Sequence, residues 1–186
     1  SCRRDEMFAL LNEGLDEHPK YSELAVLGPN YYLSKWAGDA PGLEKWATQM
    51  SGRFATNGGA AMYAKVYWQA LNAQYGGQLF ELTLVKWDRL MAGIRELIDR
   101  QPTDDHLNQA AAMACLGGNR ALTRQILTNP NFKYSDFQWY QIGGKVRVYP
   151  ICRKWAAEVP SATADPSSDQ VPKTPQPMPT SQSPPR

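Results

Sequence analysis

Apolar residues recur three and four positions apart along most of the first 128 residues, and Gly or Pro interrupts them at short intervals. That spacing lines apolar side chains along one face of a helix. Residues 5–18 read as a helix with Phe8, Leu11 and Leu15 on one side, stopped at His18-Pro19 because the residue before a proline is pushed out of the helical region. A second helix over 21–27 is interrupted at Gly28-Pro29. Asn30 is placed to cap a short helix bearing Tyr31, Tyr32, Leu33 and Trp36. After the turn Gly38-Asp39-Ala40-Pro41, with Pro41 suited to a first helical turn, a helix over 41–56 carries Leu43, Trp46, Ala47, Met50 and Phe54.

Asn57-Gly58-Gly59 breaks the chain before the helix over 60–75. Met62, Tyr63, Val66, Tyr67, Ala70 and Leu71 form its stripe, and Lys65, Gln69 and Asn72 fall on the opposite side. After Gly76-Gly77 the longest helix is predicted over 79–100, with Trp87, Leu90, Met91, Ile94, Leu97 and Ile98 inward and its charges on a solvated face. Pro102 ends it. Thr103, Asp104 or Asp105 caps a helix over 105–116, and Gly117-Gly118-Asn119 turns the chain into 120–128.

Beyond Asn129-Pro130 the period weakens. Phe132, Tyr134, Phe137, Trp139, Tyr140 and Ile142 are too dense to be solvated and are expected to cap the open end of the helical stack. Lys145 to Tyr149 alternates polar and apolar, which is strand-like, and 150–158 reads as a last short helix around Ile151 and Trp155. From about Pro160, Pro, Ser, Thr and Gln dominate. Such a stretch buries too little surface to offset its ordering entropy, so 160–186 is expected to be a disordered Pro-rich tail. Residues 1–159 then make one all-α domain of stacked antiparallel helical hairpins, since a hairpin buries its stripe only against a neighbour.

Parts of this spacing are similar to the tetratricopeptide pattern. Leu90, Ile94, Leu97 and Pro102 stand where that repeat has its second helix and terminal Pro. Leu107, Ala110, Ala111, Ala114 and Gly118 match the first helix and its turn, with Leu127 following in the second helix. Hairpin starts near 21, 60 and 105 give periods of about 39 and 45 against the type repeat's 34, so the hairpins are tetratricopeptide-like and irregular. The run Tyr31-Tyr32-Leu33-Ser34-Lys35-Trp36-x-Gly38 also resembles the Tyr-Leu-Pro-Arg-Trp-x-Gly signature of an uncharacterised bacterial family. Tyr63-Ala64, the helix from Trp87 to Pro102, and Ala114-Cys115-Leu116-Gly117-Gly118-Asn119 have counterparts there. Ser34 replaces a Pro and Asn119 an Asp, changes at turns and caps. The resemblance covers roughly 21–156 and implies a fold, with no activity and no catalytic residue.

Composition adds limits. Hydrophobic residues make up 42% of the chain, enough for a core, and the formal net charge of +2 gives no strong attraction to nucleic acid or an acidic membrane. No apolar run approaches the roughly 20 residues of a membrane span. Three cysteines, Cys2, Cys115 and Cys152, lack Cys-x-x-Cys spacing. Cys115 in its Ala-rich run reads as a buried inert thiol, and Cys2 and Cys152 pair only if the fold brings them together. The start Ser1-Cys2-Arg3-Arg4, without Met or signal peptide, reads as that of a fragment or processed product, and Ser-Cys also occurs at lipoprotein cleavage sites. A cytoplasmic location is favoured, with a periplasmic or lipid-anchored one if an upstream signal is missing.

His18 and His106 flank helix boundaries beside acids and read as surface or capping residues, not ligands or bases. Ser34 and Ser51 lie in no nucleophile elbow, and the glycine pairs match no phosphate-binding loop. Lys145, Arg147, Arg153 and Lys154 form a basic cluster with Tyr149 and Trp155, read as a solvated end of the domain; joined to Arg120 and Arg124 it would favour nucleic acid. No catalytic residue, metal ligand or cofactor is assigned. The expectation is a non-enzymatic module for a protein or peptide partner, with Lys65, Gln69 and Asn72 as groove residues. An accessory or regulatory domain of a larger bacterial protein is the alternative, and a nucleic-acid-binding helical protein a more distant one.

Overall fold

The computed structural model describes residues 4–32, 39–143 and 148–158, and every regular element among them is helical. In chain order these are α1 (Arg4–Glu17), α2 (Glu23–Leu27), a 3-10 segment (Gly28–Tyr32), α3 (Ala40–Arg53), a 3-10 turn (Ala55–Asn57) and α4 (Gly59–Ala70), which runs on into a π-helical segment (Leu71–Tyr75). There follow a 3-10 turn (Gly76–Gln78), α5 (Leu79–Leu82), α6 (Trp87–Arg100), α7 (Asp104–Leu116), α8 (Arg120–Leu127), α9 (Asp136–Gly143) and α10 (Val148–Ala157). Expectations for Leu33 to Gly38, for 145–147, for the 160–186 tail and for Cys2 lie outside the described residues.

Helix α4 is the axis of the packing, with α2, α3 and α6 against it. Met62, Tyr63, Ala64, Val66, Tyr67, Trp68 and Ala70 are all buried, so apolar residues surround most of its circumference. A helix of that kind belongs inside a protein. Helix α6 comes close at Gly93, where an added Cβ would stand 2.2 Å from the Ala60 carbonyl oxygen and 2.9 Å from the Ala64 Cβ. Only glycine permits that approach of two backbones. On the far side, Asp39 caps α3 by accepting the Gly42 N–H, Pro41 sits in its first turn as expected, and Trp46 reaches across to donate to the Ala25 carbonyl at 2.8 Å. Gly28 makes room for that indole, since a Cβ there would lie 2.2 Å from the Trp46 ring.

Four expectations are corrected. The helix over 79–100 is two, because Thr83 leaves the helical path. Its backbone is extended (φ −124°, ψ 173°), and its hydroxyl donates to the Leu79 carbonyl and accepts the Val85 N–H, local bonds that compete with the helical ladder. Asn30 lies inside the 3-10 segment and not at a helix start. Val148 and Tyr149, the end of the strand-like run, open helix α10. The aromatic run after 130 splits: Trp139 and Ile142 are buried, whereas Phe137 is 68% and Tyr140 59% exposed, because α9 lays only one face on its neighbours.

Asn108 organises that region. Fully buried on α7, it donates to the Asp104 and Lys133 carbonyls and accepts the Ser135 N–H and the Trp139 indole N–H, using all its hydrogen-bonding capacity. Thr103 is the cap of α7, accepting the His106 N–H at 3.2 Å. Arg124 on α8 donates to the Ala156 and Glu158 carbonyls and so closes the C-terminal end of α10 with a cation, the favourable sign for that end of a helix.

The cysteine expectation also changes. Cys115 is fully buried, as its setting suggests, yet it is no thiol: it forms a disulfide with Cys152, joining α7 to α10 across 37 residues of sequence. A loop of that length corresponds to about 4 kcal/mol in the chain-entropy account of cross-links. Urea unfolding of the oxidised chain against its Cys115→Ala/Cys152→Ala variant is expected to show a loss of this order, about 3–4 kcal/mol. A difference below about 1 kcal/mol would show that the cross-link is not what holds α10 in place.

Candidate functional site

Lys65, Gln69 and Asn72 follow one another along α4 and the π-helical segment that continues it, and all three are half-buried. They do not share one environment. Gln69 donates to the Asn30 side chain at 3.1 Å, which ties α4 to the 3-10 segment. The Asn72 Oδ1 is buried with no hydrogen-bond partner among the described residues. Lys65 opens onto a cavity of about 320 Å³.

That cavity forms where three turns and two helices meet. The turn before α2 brings Lys20 and Ser22, the turn before α4 brings Asn57 and Gly58, and α6 brings Leu97 and Arg100. Gly58 has φ +94°, a left-handed conformation that glycine adopts without strain, and this lets the chain bend tightly into α4. Phe54, Met62 and Leu97, each nearly fully buried, make an apolar floor. Glu96 stands at the edge. Its carboxylate accepts the Ala61 N–H at 2.8 Å and pairs with the Arg100 Nε at 3.0 Å, so it satisfies an otherwise orphaned donor of the first turn of α4. The Lys65 ammonium makes no hydrogen bond or ion pair among the described residues.

A second polar cluster lies on the other side of α4. Tyr63 and Tyr67, both fully buried, donate to the same Glu44 oxygen at 2.7 and 2.5 Å. The other Glu44 oxygen receives Thr48 and Arg89, and the Arg89 guanidinium lies 4.2 Å above the Tyr63 ring. The Tyr63 hydroxyl also accepts the Lys86 N–H at the start of α6. Burial raises the pKa of Tyr63; the Lys86 amide works against it and Glu44 adds to it. Burial raises Tyr67 as well, reinforced by its bond to Glu44 and by neighbouring Tyr63. Both phenols are held neutral as donors, so the cluster fastens α3, α4 and α6 together. The helical stripe marked both tyrosines as core, but Glu44 is a lone acid on α3 with no sequence signal linking it to them.

A further cavity of about 430 Å³ lies between Trp87 and the turn at Gly117 to Asn119 with the start of α8. Its arginines serve packing: Arg120 stacks over Trp155 at 5.0 Å, and Arg124 holds the end of α10. Arg153 and Lys154 are exposed on α10, while Lys145 and Arg147 lie outside the described residues. His106 sits in the first turn of α7 with Nδ1 2.8 Å from the Gln101 carbonyl, and no group of three His, Cys, Asp or Glu suited to a metal ion occurs among the described residues. No helix among them is long and apolar enough to cross a membrane. No protein-family pattern, curated protein or solved structure matches the chain.

The tyrosine pair makes stability depend on alkaline pH. An unfolded phenol ionises near pH 10, whereas the folded ones keep their protons to higher pH. The stabilisation is therefore complete below about pH 10 and declines as pH rises from there toward the folded values. Urea midpoints measured from pH 9 upward are expected to fall past about pH 10, and to fall less steeply in Tyr67→Phe. Equal slopes in the two chains would refute the assignment.

Proposed function

We propose that this chain is a non-enzymatic binding module for a protein or peptide partner, built on tetratricopeptide-like helical hairpins. The observation that carries the reading is the half-buried Lys65, facing an open pocket with no counter-charge of its own among the described residues. The packing of α3 on α4 and of α7 on α8, each pair joined by a short turn, supports the hairpin description. The described lining of the pocket offers cations at Lys20, Lys65 and Arg100, polar side chains at Ser22, Asn57 and Gln101, and apolar ones at Phe54, Met62 and Leu97, groups that hold a ligand by charge, hydrogen bonds and contact. Of the three groove residues, Lys65 is the one to weigh most, because Gln69 is engaged with Asn30.

Capture on the immobilised full chain, compared with a Lys65→Glu chain, tests the reading. A partner enriched by the first and depleted at least severalfold by the second is the expected result. Equal recovery of every enriched protein by the two chains overturns it.

The Cys115–Cys152 disulfide supports a working place in an oxidising compartment, since such bonds persist outside the reducing cytosol. This favours the periplasmic or lipid-anchored location over the cytoplasmic one. Trapping free thiols with a mass-shifting alkylating reagent in the source cells is expected to leave Cys115 and Cys152 unlabelled until a reductant is added. Labelling of both without reductant would refute the assignment.

A further inference from the structure

We propose that the pocket beside Lys65 binds a carboxylate carried on a short apolar group. The proposal rests on the reading of this face as a binding surface and adds the chemistry of what it takes.

Three cations, Lys20, Lys65 and Arg100, line the pocket, and no acid is among its described lining. Glu96 at the edge offsets one of them by pairing with Arg100. The balance leaves room for a further negative charge. Lys65 is half-buried at the pocket and its ammonium has no counter-ion among the described residues, so an anion arriving there displaces no protein partner. Arg100 uses Nε on Glu96 and Nη1 on Asn57, which leaves Nη2 as a donor. Two kinds of donor therefore line the same pocket: a point charge from Lys65 and part of a planar fork from Arg100.

The local chemistry already holds one carboxylate. Glu96 sits against the Ala61 N–H and the Arg100 Nε at ordinary hydrogen-bond distances. This shows that the start of α4, with its positive helix end, and the end of α6 accept a carboxylate in this corner of the fold. The floor sets the second requirement. Phe54, Met62 and Leu97 are among the residues that line the pocket beneath these cations, so it presents apolar atoms as well as charge to what enters it. A carboxylate with a stem of about four to six carbons uses both features, and about 320 Å³ is at the small end of ligand-site volumes. Such a group comes either from a free small acid or from an acidic side chain beside an apolar one on a partner.

Titration of the isotope-labelled full chain with 4-methylpentanoate, followed by amide resonances, tests the site. Saturable shifts centred on Gly58, Ala61, Met62 and Gln101 are expected. Lys65→Met is expected to weaken binding about fivefold or more, the effect of losing one charge-assisted hydrogen bond at a partly exposed site, with Lys65→Arg near the parent. The neutral 4-methylpentanamide and inorganic phosphate are expected to give no saturable shifts at these residues. Acetyl-Glu-Leu-amide, whose one carboxylate is a side chain, identifies the source: tighter binding than the free acid assigns a partner's acidic residue, weaker binding a small acid. No saturable shift with the acid, equal shifts with its amide or with phosphate, or unchanged affinity in Lys65→Met would overturn the proposal. The titration contains no partner, so its failure leaves Lys65-dependent capture standing, and failure of capture leaves the pocket's own affinity measurable.

Discussion

Burying α4 on nearly every side creates a polar problem that the rest of the molecule is arranged around. Two tyrosine hydroxyls go into the interior with that helix, and an unbonded buried hydroxyl costs about 1–3 kcal/mol. Glu44 answers for both by accepting them on one carboxylate oxygen. The carboxylate in turn is held by Arg89 and Thr48, so that a charge carried inward on α3 is matched by one from α6. Once this cluster is in place, α3, α4 and α6 have one register, and the close approach at Gly93 becomes possible without strain.

The second half of the domain is closed by different means. Its last three helices, α8, α9 and α10, have 8 to 10 residues each, and α9 buries few large side chains compared with α4. Specific bonds make up the difference. Asn108 threads the turn before α9 to α7, Arg124 holds the tail end of α10, and the disulfide joins α7 to α10 covalently. A short element with little apolar area gains most from such ties, because each one reduces the freedom of the unfolded chain or satisfies a group that packing cannot. The exposed rings of Phe137 and Tyr140 are the counterpart: α9 is fixed by polar bonds on one side and leaves its other face open.

The pocket beside Lys65 follows from the first half. Three turns meet there because α1 and α2, α3 and α4, and α6 with the segment after it all reverse direction at the same end of α4. Turns leave backbone groups and long side chains at the surface, and the tight bend at Gly58 brings Arg100 within reach of the start of α4. The sequence marked Lys65 as lying opposite the apolar stripe, and the structure leaves it half-buried at the pocket. It carried no sign that Gln69 would be spent on Asn30, nor that Lys20 and Arg100 would gather around Lys65, since those residues stand 45 and 35 positions away along the chain.

Periodicity by itself determined the helical class, most helix positions and the apolar face of each, because those depend on neighbours three and four residues apart. Thr103 stood among three caps that local sequence offered for α7, whereas Asp39 read only as part of a turn. Only the tertiary structure decided the break at Thr83, where local side-chain bonds compete with a helix that periodicity alone favours. It likewise decided the sharing of Glu44 by two tyrosines, the pairing of Cys115 with Cys152 and the gathering of three cations at one pocket. Each of these joins residues from different helices, and a one-dimensional pattern holds no information about which helix faces lie together until the core has packed.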